Sequence, residues 1–146
     1  MSDAAKKNLQ AMHGISKCFD TKDFSKIGDY IAEDAIDHHT DEQGDIKGLA
    51  NMKAAYEKMV VGYDNSKSEV IKELADDEYV MSWLRFTGTM KMDQMGMKAG
   101  SKIDMSALEV AKFKDGKATE HWTFMQPSDM MKMMPPPPGK DTTNTK

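Results

Sequence analysis

The chain is expected to fold as an α+β domain: a cone-shaped, strongly curved antiparallel sheet closed by three N-terminal helices around a pocket. Three observations predict this. Apolar residues of the first half recur at helical spacing, those of the second half alternate at strand spacing, and Asp115-Gly116 joins the last two strand-like runs. The order helix, helix, short strand, helix, then four strands gathers the helices against one face of the sheet. A bent sheet covered in this way leaves a concave, mostly apolar pocket at its mouth.

At 146 residues and 16.4 kDa the chain makes one domain, residues 1–134, large enough for a core without metal or disulfide staples. Residues 135–146 open with four prolines and continue in polar residues, which predicts a disordered tail. Twenty basic and 24 acidic residues are interspersed without a basic block, arguing against nucleic acid or an anionic membrane as partner. The single cysteine, Cys18, forms no internal disulfide and reads as a buried packing residue of a reducing compartment. Neither a signal peptide nor a membrane span is legible, so a cytoplasmic protein is expected. Fifteen methionines are the compositional oddity.

Asp3 to Phe19 places Ala5, Leu9, Met12 and Phe19 near helical spacing, an amphipathic first helix. Asp23 then caps a short second helix that turns Phe24, Ile27 and Ile31 inward. Ala35 to His39 is a short strand, and Thr40 to Lys47 a polar loop. Gly48 to Gly62 is the clearest helix, with Leu49, Met52, Tyr56, Met59 and Val60 in one stripe. Ser66 to Leu74 alternates, Asp76-Asp77 turns, and Tyr79 to Thr87 is a β-rich run too apolar on both sides for an exposed strand. Gly88 to Lys102 reads as a long loop. Pro127 ends the last strand, and Ser128 to Met134 is a short helical segment.

The hairpin around Asp115-Gly116 admits two registers. A two-residue loop sets Glu109 opposite Trp122, mixing chemistries on one face. A three-residue loop (Lys114, Asp115, Gly116) sets Glu109 opposite His121 and groups Leu108, Val110, Trp122 and Phe124 on the other side. Because a one-residue slip exchanges the faces, the register that separates polar from apolar is preferred.

Four stretches carry a resemblance: Ile31-Ala-Glu-Asp-Ala-Ile-Asp-His-His39, Phe86-Thr-Gly-Thr89, Met95-Gly-Met-Lys-Ala-Gly-Ser-Lys102 and Phe113-Lys-Asp-Gly-Lys-Ala-Thr-Glu-His-Trp122. Together they are similar to the motifs of SnoaL-like polyketide cyclases, within the nuclear transport factor 2-like superfamily, over roughly Phe19 to Gln126. The resemblance implies the cone fold, a pocket, and in the cyclases an aldol ring closure without cofactor, driven by a pocket carboxylate. That acid commonly follows the His-Trp pair, where this chain has Thr123. The family's arginine and tryptophan before Phe86 are replaced by Trp83 and Leu84, and its loop proline by Met97. The fold hosts many activities, so the reaction has to be read from the site itself.

Glu109, His121 and Asp37 are the candidate catalytic residues, a carboxylate orienting an imidazole as general base. The bland alternative is a cross-strand pair that only satisfies two polar groups. His38, His39, Tyr56, Trp83, Met97, Met105, Thr123 and Met125 are expected to line the ligand site. No cofactor and no metal site is expected, since the histidines lack ligand spacing: His38 and His39 are adjacent on a strand and His13 stands alone on a helix. The favoured function is binding of a small hydrophobic, carbonyl-bearing molecule. A cofactor-free cyclase, isomerase or hydrolase is the alternative, and a Cu(I) binder built on Met90-x-Met92-x-x-Met95-x-Met97 and Met130-Met131-x-Met133-Met134 a further one. The apolar hairpin face is expected to make a homodimer.

Overall fold

A computed structural model describes residues 1–38 and 44–134. His39 and the proline-rich tail lie outside these residues. Helix α1 spans Asp3–Thr21. The Ser2 hydroxyl caps it by accepting the Ala5 N–H at 3.0 Å, and Lys22 closes it in the left-handed conformation. Its buried Asn8 donates to the carbonyls of Asp76 and Asp77 at 3.2 and 3.0 Å, which pins the helix to a strand turn 68 residues away. The expected second helix is a single 3-10 turn, Ile27–Asp29. The Asp23 carboxylate accepts the Ser25 N–H at 3.0 Å, but the 3-10 turn starts from Lys26 without a side-chain cap, so the expected cap at Asp23 is not made. Helix α2, Leu49–Val60, buries Met52, Tyr56 and Val60, one four-residue step apart.

Strands β1 (Ile31–His38), β2 (Ile46–Lys47), β3 (Tyr63–Ala75), β4 (Tyr79–Met90), β5 (Lys102–Lys114) and β6 (Lys117–Met125) form one curved, unclosed sheet in the order β2-β1-β6-β5-β4-β3. Every pairing is antiparallel except one: β1 runs parallel to β6. A last helix, α3, covers Pro127–Lys132. Strand β4 extends to Met90, so the loop expected from Gly88 begins later. Edge strand β3 begins at Tyr63 and is bent by two irregularities, which leaves Val70 and Leu74 exposed.

The hairpin corrects the register. Asp115 (φ 52°) and Gly116 (φ 78°) form a two-residue turn with both residues left-handed, and Lys114 pairs with Lys117. Thr119 then bulges out, so that Lys112 pairs with Glu120, Val110 with Trp122 and Glu109 with Thr123, not with His121. Tight turn plus bulge displaces the pairing by two residues from the expected one. An even displacement preserves the faces, so Glu109, His121 and Thr123 still share the helix side.

The core lies between that side and the helices, with Phe24, Ile27, Ile31, Met52, Val80, Met90, Ile103 and Phe113 almost fully buried. Phe19 meets Phe24 edge-on at 5.0 Å and tilts against Tyr56 at 4.9 Å, locking α1 to α2. The outer face is different. Strand β4 was expected to be covered on both sides, yet Met81 and Trp83 are 41% and 46% exposed and Phe124 54%. Those residues lie beside Leu108 and Val110 in the register, so an apolar patch of the outer face stands open around a buried Val110.

Candidate functional site

Parallel pairing places Asp37 directly beside His121 and His38 beside Trp122. Alternation sends the first pair to the helix side and the second to the outer face. The Asp37 carboxylate is buried, and its Oδ1 meets His121 Nδ1 at 2.8 Å while its Oδ2 accepts the Tyr56 hydroxyl at 2.6 Å. On the other side of the ring, His121 Nε2 meets Glu109 Oε2 at 2.5 Å. The Thr123 hydroxyl donates to that same oxygen at 2.8 Å. The imidazole is thus clamped between two carboxylates, one from β1 and one from β5, and the buried end is anchored to α2 through Tyr56.

Burial alone would push the His121 imidazole down. The hydrogen bonds and negative charges of Asp37 and Glu109 outweigh it and carry the ring up to about 10, from 6.5. His121 is therefore an imidazolium at neutral pH, with both N–H groups engaged. Tyr56 is held protonated, first by burial and then by the Asp37 charge and hydrogen bond. Both bonds received by Glu109 fall on Oε2, so among the described residues Oε1 has no hydrogen-bond partner. Glu109 and His121 side chains are 22% and 25% exposed, and Thr123 opens to solvent.

The same side of the sheet carries a polar row. Glu73 lies opposite Ser82 on β4, and Ser82 opposite Glu109 on β5. The Ser82 hydroxyl donates to Glu73 at 3.1 Å, and Glu73 also meets His13 Nε2 of α1 at 2.8 Å. The sequence shows His13 only as a lone histidine on a helix and gives no reason to single out Ser82 or Glu73. Only the β3–β4 register brings them together.

The remaining expected site residues divide between the two faces. Met105 and Met125 lie on the helix side, with Met125 beside Ala107 in the register, one step along from Glu109 and Thr123. Met97 is half-buried against the core. His38 and Trp83 are not brought to the cluster. His38 stacks on Trp122 at 4.8 Å on the outer face, between Glu120 at 2.9 Å and Asp45 at 3.2 Å, and these carboxylates, Glu120 first, raise its pKa. Trp83 shares that face. Two hollows lie away from the cluster: one of about 500 Å³ between Lys22–Ser25 and α2, the other of about 170 Å³ beside Trp83 and Phe124. No group of His, Cys, Asp and Glu among the described residues is arranged to hold a metal ion. No helix among them is long and apolar enough to cross a membrane.

A family model described as SnoaL-like polyketide cyclase matches residues 9–134. Comparison with curated proteins gives no match. Solved structures with the same fold include TsrD from Streptomyces laurentii, with TM-score 0.75 and 13% identity over 91% of this chain and 96% of that one. A SnoaL-like polyketide cyclase from Agrobacterium tumefaciens has TM-score 0.71 and 14% identity, covering 90% and 97% of the two chains. A LEH-like epoxide hydrolase from M. tuberculosis has TM-score 0.70 and 13% identity, covering 88% and 90%. Likeness at such identity establishes the fold alone.

Proposed function

Because the chain belongs to the SnoaL-like polyketide cyclase family, we propose that it binds a small apolar carbonyl compound on the helix side of its sheet. Glu109 is the proton acceptor in this reading. The observation that carries it is the Glu109 carboxylate itself. Oε2 is fixed by His121 and Thr123, and Oε1 is left to receive a proton. The family's usual acid after the His-Trp pair is replaced by Thr123. Thr123 lies directly opposite Glu109, so the carboxylate arrives from the neighbouring strand instead.

The roles within the pair are the reverse of those expected from sequence. An imidazolium with both N–H groups occupied is no base, so His121 orients Glu109, and Asp37 with Tyr56 orients His121. Removal of a proton α to a carbonyl by Glu109 leaves an enolate beside a charged His121, which lowers its energy. Apolar side chains at Leu84, Ala107 and Met125 adjoin the cluster and would take the hydrocarbon part of the ligand. The step needs no cofactor.

A non-catalytic binding protein is the second reading. It is favoured by the hollow beside Trp83 and Phe124, which has apolar walls and no ionisable lining residue. One experiment separates them. Wild type and Glu109→Gln are incubated in D₂O with a panel of hydrophobic ketones, and α-deuterium incorporation is followed by mass spectrometry. Exchange by wild type alone supports the base. Binding without exchange in either supports the second reading.

The outer face is proposed to pair with a second copy of the chain. Met81, Trp83 and Phe124 offer contiguous apolar area of the kind a solitary domain rarely exposes.

A further inference from the structure

Eight of the 15 methionines fall in two short segments, 90–97 and 130–134, that the proposed function does not use. The fold brings the segments together. Gln94 and Met97 exchange two backbone hydrogen bonds of 3.0 Å, closing a two-residue turn at Met95 (φ 53°) and Gly96 (φ 70°). A left-handed backbone is unfavourable for any residue with a Cβ, and Met95 lacks the short polar side chain that eases it in Asn. Gly96 meets the end of α3: a Cβ there would lie 1.8 Å from the Met133 carbonyl oxygen and 3.1 Å from its Cα. Met133 thus sits directly against the turn that separates Met95 from Met97.

The loop is held at its base. Met90 N–H donates to Ser101 at 2.9 Å, Gly100 N–H to Met90 at 2.8 Å, and the Asp93 carboxylate accepts the Ala99 N–H at 2.8 Å. Met95, Met97 and Met133 are half-buried against the core, whereas Met92, Met130, Met131 and Met134 are exposed. Three methionines therefore start from neighbouring backbone positions around Gly96, each packed in part against the core.

We propose that Met95, Met97 and Met133 form a three-thioether site for Cu(I). Thioether sulfur is uncharged, soft and polarizable, so it selects a soft monovalent ion over Zn²⁺, Mg²⁺ or Ca²⁺. Simple packing would be served as well by leucine, which is why isosteric substitution tests the idea. Half-burial limits competing water, and the turn at Met95 and Gly96 brings both flanking methionines up to Met133.

The test uses the full chain with Cys18→Ser, so that the one thiol cannot contribute, and Cu(I) kept reduced by ascorbate under nitrogen. Competition against a chromophoric Cu(I) chelator should give one equivalent bound, tighter than to a peptide of residues 90–97. Met97→Leu and Met133→Leu should each weaken it by about tenfold or more, while Met131→Leu and Met134→Leu should not. If the leucine variants lose their fold by circular dichroism, the unsubstituted Cys18→Ser chain with ¹³C-methyl methionine is titrated with Ag(I). Shifts confined to the methyls of Met95, Met97 and Met133 support the site. Affinity no better than the peptide's, or shifts spread over the exposed methionines, would overturn it.

Discussion

The charge state of His121 is the most exposed point of the proposed mechanism. Two carboxylates at 2.8 and 2.5 Å raise its pKa from 6.5 to about 10. That difference corresponds to about 5 kcal/mol at 1.36 kcal/mol per pH unit. The sign follows from linkage. The folded state binds this proton more tightly than the unfolded chain, so the stabilisation is complete below pH 6.5 and is lost as pH rises through about 10. Over that window unfolding free energy should fall with a slope approaching about 1.4 kcal/mol per pH unit. Glu109→Gln removes one of the two charges, and an adjacent opposite charge is ordinarily worth about 1–3 pH units. The variant's imidazole should therefore titrate lower by that amount, and its stability should begin to fall at correspondingly lower pH. NMR of the His121 Cε1–H resonance from pH 5 to 10.5, alongside urea unfolding at each pH, measures both. A wild-type His121 that titrates near 6.5, or one that Glu109→Gln leaves unmoved, would refute the clamp and with it the assignment of Glu109 as base.

Tyr56→Phe removes the hydroxyl that holds Asp37 to α2. It should cost about 1–3 kcal/mol in unfolding free energy, the effect of removing one donor from a buried carboxylate. Phe124→Glu on the outer face should convert a dimer to a monomer in sedimentation without changing the far-ultraviolet spectrum. A wild-type species of 16 kDa at micromolar concentration would contradict the proposed pairing. Ile27→Ala, in the middle of the core, should lower stability by about 2–5 kcal/mol in chemical denaturation.

What was legible in the sequence was periodicity, and it carried the element order, the α2 stripe and the partition of the hairpin into two faces. The register was not legible, although its sign was in view. Asp115-Gly116 is itself the signature of a two-residue turn, but the argument from face chemistry favoured three. The compensating bulge at Thr119 has no residue preference that announces it. Strand alternation sets Asp37 and His38 on opposite faces of β1. It has no means of saying which strand would lie alongside, because Asp37 and His121 are 84 positions apart in the chain. Tyr56 read as one more apolar residue of a helical stripe. Its hydroxyl acquires meaning only when Asp37 is brought against it.

The parallel pairing of β1 with β6 has a bearing on how the protein is made. These are the first and last strands of the described chain, and the aspartate and the imidazole ring are shared out between them. A growing polypeptide can build α1, α2 and the β3–β4–β5 meander from near neighbours. Strand β1 can pair early with β2, but its other neighbour arrives only when residues 117–125 are delivered. The cluster therefore comes into being at the moment the domain closes, and a chain interrupted before β6 keeps Glu109 and Asp37 but has nothing to hold between them. Chemical competence and completed folding become a single event.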